Sequence, residues 1–164
     1  MSVNLLFSKN YEIYCKIKEA LQAIPQLELV DLDRGQMSAE KEPHLFVAAL
    51  IRINRINWET MTEQNQEGRA SVDVTLYCRD GWLNQYQNTE DTEHGLNEID
   101  LLDAIAEKLQ FLQGEQFKPL EQTGDEIDSQ TMKGNFAYRL SFDTMIYRKL
   151  APKYKTVKMS LKQI

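Results

Sequence analysis

Apolar positions recur at two distinct periods along the chain. Ile13, Ile17, Ala20, Leu21 and Ile24 follow three-and-four spacing, with Tyr14 beside them, and predict a helix from Ser8 to Ile24. Ser8 or Asn10 can cap its start and Pro25 marks its end. Leu27 to Asp31 reads as a short strand. Arg34 to Pro43 is polar, contains Gly35, and reads as a loop. Leu45 to Ile56 then reads as a long strand. Its first half is apolar on both faces, with Leu45, Val47, Ala49 and Ile51 on one side and Phe46, Ala48 and Leu50 on the other. Its second half alternates, so Arg52 and Asn54 face away from Ile51 and Ile53.

Asn57 to Gly68 is polar and reads as the loop of a long hairpin. Ala70 to Cys78 alternates cleanly, with Ala70, Val72, Val74, Leu76 and Cys78 on one face. A second polar loop, Asp80 to His94, carries Trp82 and Tyr86. Gly95 to Gln113 is the strongest helical pattern, with a stripe of Leu96, Ile99, Leu102, Ile105, Ala106, Leu109 and Leu112, and Gly114 placed as a C′ glycine. Glu115 to Lys133 is irregular and acidic. Gly134 to Tyr147 alternates again, with Phe136, Tyr138, Leu140, Phe142, Thr144 and Ile146 on one face. From Leu150 to Ile164 the alternation is weaker, at Tyr154, Val157, Met159 and Leu161. The expected fold is α+β: a mainly antiparallel sheet of about four strands, two helices on one face, in the order α-β-β-β-α-β.

Composition narrows the class. The 164 residues fit one domain, expected over residues 1–148, with a basic C-terminal tail over 149–164. The hydrophobic fraction of 42% and charged fraction of 27% suit a chain with a real core. No apolar run approaches the ~20 residues of a membrane span, and no secretory leader is legible at Met1 to Asn10. Two cysteines, Cys15 and Cys78, have no metal or redox spacing; the bland reading is a pair of buried, reduced thiols. Net charge is -6, unevenly placed. Arg148, Lys149, Lys153, Lys155, Lys158 and Lys162 close the sequence without an acid. These are six of the 19 basic residues, so the remainder sets 13 against 25 acidic ones.

Candidate chemistry is sparse. His44 and His94 have no second histidine or cysteine at ligand spacing. Nucleophile elbows and glycine-rich phosphate loops are missing from the sequence. Glu121, Asp125, Glu126 and Asp128 cluster without matching a cation-binding loop. The expectation is therefore no catalytic set, no metal and no cofactor. The candidate partner-contact residues are Trp58, Trp82, Tyr86, Arg52 and Asn54. The tail, through Arg148, Lys149, Lys153, Lys155 and Lys158, reads as a docking arm for an acidic neighbour, a solubilising tail, or a nucleic-acid contact.

The element order resembles that of the tail terminator (tail completion) and head–tail joining proteins of long-tailed bacteriophages and prophages. The likeness runs over residues 5–148. It rests on the first helix closing with Ala20 to Pro25, the long hairpin Leu45 to Arg79, the second helix Ile99 to Leu109, and the final strand ending Phe142 to Tyr147. It implies a non-enzymatic ring that ends the tail tube and joins it to the head connector. Its partners would be further copies of the chain, tail-tube and connector proteins, with DNA passing through the lumen unbound, no membrane and no small-molecule substrate. The protein would be made in the bacterial cytoplasm and reside in the virion tail. The basic tail lies outside the resemblance. Beside this reading stands a small-ligand or regulatory α+β domain with a helix–sheet pocket near Tyr14, Trp82 and Phe136.

Overall fold

The computed structural model describes residues 9–38, 47–78, 93–128 and 136–154; of these, the side chains of 9–11, 93–97 and 136 are outside the description. His44, Trp82, Tyr86, Lys155 and Lys158 fall outside the described residues, as does the side chain of His94.

The chain runs α1 (Lys9–Gln22), β1 (Leu29–Leu32), a 3₁₀ turn (Gln36–Ser38), β2 (Val47–Thr60), β3 (Asn65–Cys78), α2 (Glu93–Leu109), β4 (Glu121–Ile127) and β5 (Phe136–Lys149). The fold is α+β. One five-stranded mixed sheet has the order β1-β2-β3-β5-β4, with β1 parallel to β2 and every other pair antiparallel. The expected sheet of about four strands thus gains β4, and its first strand pairs in parallel.

Both helices cover one face. Ile13, Ile17 and Leu21, spaced by four, are fully buried from α1. They meet Ala49 and Ile51 of β2, the even-numbered residues Ala70 to Cys78 of β3, and Leu140, Phe142 and Ile146 of β5. From α2 the buried positions are Glu98, Leu101, Ile105 and Leu109. The stripe is rotated from the expected one, and Ile99 is exposed. Leu101 and Leu102 are adjacent apolar residues, so the pattern fits two faces, and packing selects the one led by Leu101.

α2 does not use Gly114 to stop. The left-handed residue after it is Phe111, with φ 63°. Its N–H donates to the Leu120 carbonyl at 2.8 Å, which ties the helix end to the start of β4. Gly114 serves contact instead: a Cβ there would collide with the Phe117 ring and lie 2.6 Å from Glu12 Oε1. The Glu12 carboxylate accepts the N–H groups of Glu115 and Gln116 at 2.8 and 2.9 Å, pinning the turn to α1.

The hairpin is longer than its polarity suggests. β2 and β3 pair as far as Thr60 and Gln66, leaving only a tight turn at Met61 to Gln64. Asn57 to Gly68 is therefore mostly strand. The cause is a bulge between Ile53 and Arg55. It switches which parity faces the helices, from Ile53 to Ile56 and Trp58, so a strict two-residue count loses the strand there. A similar irregularity between Gln122 and Gly124 bends β4.

Candidate functional site

The face of the sheet away from the helices has two regions. At one end Met37, Ala48, Leu50, Tyr77 and Ala137 form a small buried cluster with Leu29 against it. Burial, then the nearby Asp33 and Asp128 carboxylates, push the Tyr77 hydroxyl above its ordinary pKa, so it stays protonated. Beyond this cluster the face is a polar ladder centred on Asp73. Asn54 donates to Asp73 Oδ2 at 2.6 Å and Ser141 Oγ to Oδ1 at 2.8 Å. Arg139 lies 3.9 Å from the same carboxylate and also pairs with Glu126 of β4. Arg52 reaches Asp33 at 2.6 Å, where the Asp33 side chain is only 6% exposed.

Arg52 and Asn54, two of the expected contact residues, thus share this ladder. Asn54 is the residue left unmatched by the bulge, which frees its amide to cross to Asp73. Trp58 lies on the opposite face. It is not in a loop: it sits within β2, half-buried, directly across from Gly68. An ideal Cβ on Gly68 would lie 2.7 Å from the Trp58 ring, so the missing side chain is what admits the indole. The Arg148 guanidinium stacks 4.1 Å over that ring and its Nε donates to Gln66 at 2.8 Å. Arg148 and Lys149, expected at the head of a docking arm, are the last residues of β5. Lys153 follows them, exposed.

Strand lengths leave one ladder incomplete among the described residues. β2, β3 and β5 each span 14 residues, while β1 has 4 and β4 has 7. β1 covers β2 only from Ala48 to Ile51, with Asp33 adding one bond to Ile51. From Ile53 to Thr60 no described strand pairs with the outer edge of β2. The matching stretch of β5 is covered by Gln116 to Lys118, which bonds to Met145 and Tyr147. On the other side of the sheet, β4 is the terminal strand.

No group of three or more His, Cys, Asp or Glu is gathered for a metal among the described residues. Glu121, Asp125 and Glu126, expected in a loop, are distributed along β4 instead. The Cys78 thiol is buried, and desolvation together with neighbouring Glu98 pushes its pKa up to about 12, so it is no nucleophile at neutral pH. Cys15 is half-exposed rather than buried, and the two thiols are not joined. Tyr14, expected beside a helix–sheet pocket, donates its hydroxyl to Asp31 at 3.1 Å. A concavity of about 330 Å³ lies elsewhere, at the hairpin end, lined by Met61, Gln66, Gln116, Tyr147 and Arg148 among others. No described helix is long and apolar enough to cross a membrane. Compared with known proteins, the sequence matches no family model and no curated chain.

Proposed function

We propose that this chain is a non-enzymatic assembly protein that acts through contacts between sheets, in the manner of the phage tail-terminator rings its element order resembles. The observation that carries the reading is the mismatch of strand lengths. Among the described residues, the 14-residue β2 runs past the short β1 with its outer edge unpaired from Ile53 to Thr60, and on the other side of the sheet β4 is a terminal strand. Open edges are templates for another chain unless they are blocked. A β-sheet with one edge on each side is also suited to head-to-tail contacts, and repetition of such a contact closes into a ring when its rotation permits. In this reading the acidic body faces passing DNA without holding it, and tail-tube and connector subunits are the other partners.

The test is the mass of the full chain across a concentration series by light scattering, followed by imaging of any multimer peak. A discrete closed ring is expected. A chain that stays monomeric at high concentration and captures neither tail-tube nor connector subunits overturns the proposal. A second reading, a small-ligand module, is favoured only by the depression beside Tyr147 and Arg148, whose volume is at the lower end of the usual ~300–1,000 Å³. A thermal shift of several degrees with one class of metabolite would favour it.

A further inference from the structure

The outer side of β4 combines four features. First, its backbone edge is open. Among the described residues, Gln110 caps only the Gln122 N–H, at 2.9 Å, and Phe111 bonds to Leu120 just before the strand begins, so no strand meets Thr123 to Ile127. Second, two large apolar side chains stand exposed at its two ends: Ile127 at 65% and Phe111 at 64%. Phe111 is held in a left-handed conformation disfavoured for any residue with a Cβ. Third, the segment from Pro119 to Asp128 carries Glu121, Asp125, Glu126 and Asp128 and no base. Fourth, Glu121 stands directly across from Asp143 of β5, and neither has a salt-bridge partner among the described residues. Like charges directly opposite in a sheet are destabilising. Among the described residues, the edge therefore has no strand on Thr123 to Ile127 and no cation on Glu121 or Asp143, while Glu126 is already paired with Arg139.

The sequence after β5 has the complementary character. Lys155-Thr-Val-Lys-Met-Ser-Leu-Lys162 sets Val157, Met159 and Leu161, led by Lys155, on one parity and Lys158 and Lys162 on the other, with no acid. The spacing also fits. Glu126 and Glu121 pair with Arg139 and Asp143, four positions apart on β5 because the β4 irregularity absorbs one residue. Lys158 and Lys162 are likewise four apart.

We infer that the open edge of β4 receives the basic segment 155–162 of a second copy as an added antiparallel strand, with Val157 beside Ile127, Lys158 beside Glu126 and Lys162 beside Glu121. In that register both lysines fall on the helix-free side with Glu126, Glu121 and Asp143, while Val157, Met159 and Leu161 fall on the helix side and extend the apolar surface of Ile127. Phe111 marks the end where the strand must stop. A second copy is preferred to the same chain because β5 ends at the hairpin turn, where Leu150 N–H bonds to Gln64. A tail returning from there alongside its own sheet arrives parallel to β4, whereas a tail from a neighbour is free to pair antiparallel. The inference rests on the assembly reading and names its contact.

Two measurements on the full chain test it. In a Cys15→Ser background, Ile127→Cys and Val157→Cys are made in separate, differently tagged chains, mixed and oxidised, and also combined in one chain. The buried Cys78 does not interfere. In parallel, Glu121→Lys, Lys162→Glu and the double reversal are followed by light scattering. A crosslink between mixed chains is expected, with each single reversal weakening association by roughly tenfold or more and the double reversal recovering most of it. A crosslink formed only within one chain shows the tail on its own β4 and overturns the second-copy assignment. Multimers that form without the crosslink, indifferent to both reversals, overturn the β4 contact and leave the assembly reading standing. No multimer and no crosslink removes both.

Discussion

Gly68 offers a quantitative test of how the long hairpin is held. Its backbone is ordinary strand, so alanine fits without strain, and the reduced freedom of the unfolded chain would by itself add about 0.4–1 kcal/mol. Contact opposes this. The new methyl carbon would start 2.7 Å from Ile56 Cγ2, 2.7 Å from Trp58 Cε3 and 3.0 Å from Trp58 Cδ2. Overpacking of this kind costs about 1–3 kcal/mol. Lifting the indole also loosens its stack on Arg148, worth about 0.5–1 kcal/mol at an exposed site. The steric and stacking losses outweigh the backbone gain, so Gly68→Ala is expected to lose about 1–2 kcal/mol. At about 2–4 °C per kcal/mol for a chain of this size, the Tm falls by roughly 3–6 °C. Urea unfolding measures the difference, and Trp58 emission in a Trp82→Phe background reports the ring. In a Trp58→Leu chain the alanine penalty should shrink by about 1 kcal/mol, since the two sites couple directly. An alanine variant as stable as the parent, with unchanged emission, would refute the steric reading of this glycine.

Three further outcomes are expected. Asp31 is held below its ordinary pKa of 3.8, first by the Leu32 N–H and then by the Tyr14 hydroxyl and Arg34. Its carboxylate therefore stabilises the fold above pH 3.8 and loses that contribution as pH falls through its lower folded value, so Asp31→Asn should unfold more readily than the parent at pH 6, with the gap narrowing as the pH is taken below 3.8 in urea titrations. Arg52→Ala should cost about 1–2 kcal/mol, more than an ordinary surface pair, because it strands the buried Asp33 carboxylate; equal midpoints in urea would show that pair to be idle. A thiol reagent at pH 8 should titrate one cysteine, Cys15, in the folded protein and the second, Cys78, only in denaturant; rapid modification of both would contradict the burial of Cys78.

The legible parts of the fold were those with a single unambiguous period. Ala70 to Cys78 and Phe136 to Ile146 alternate without interruption and lie in β3 and β5. Ile13, Ile17 and Leu21 carry the only dense apolar stripe of their segment and form the buried side of α1. Signals failed where tertiary contact overrides local pattern. The bulge at Asn54 reverses parity and disguises Asn57 to Thr60 as a loop. β4 alternates in nothing: Glu121-Gln-Thr-Gly-Asp-Glu-Ile127 is exposed almost throughout, and it is a strand because β5 supplies its ladder. Of the expected contact residues, Arg52 and Asn54 stand out in sequence by their polarity opposite an apolar row. What no spacing reveals is that Asp73, Ser141 and Arg139 converge on them from strands far apart in the chain. The acid pair of Glu121 and Asp143 is equally invisible until β4 is laid against β5.

The position of β3 at the middle of the sheet has a kinetic consequence. One side of it closes early, since β2 is joined to it by a tight turn. The other side waits for β5, which pairs along the whole strand from Cys78 with Phe136 to Asn65 with Lys149, and which is made only after α2 and β4. Closing so long a loop carries an entropic penalty before any of its contacts form, and such pairings fold slowly. On the ribosome, a β2–β3 hairpin therefore stands with one edge of β3 unpaired while residues 79–135 are still being synthesised. Substitutions that slow the docking of β5, at Leu140 or Phe142, would then lower the yield of folded protein by aggregation before they measurably alter the finished molecule.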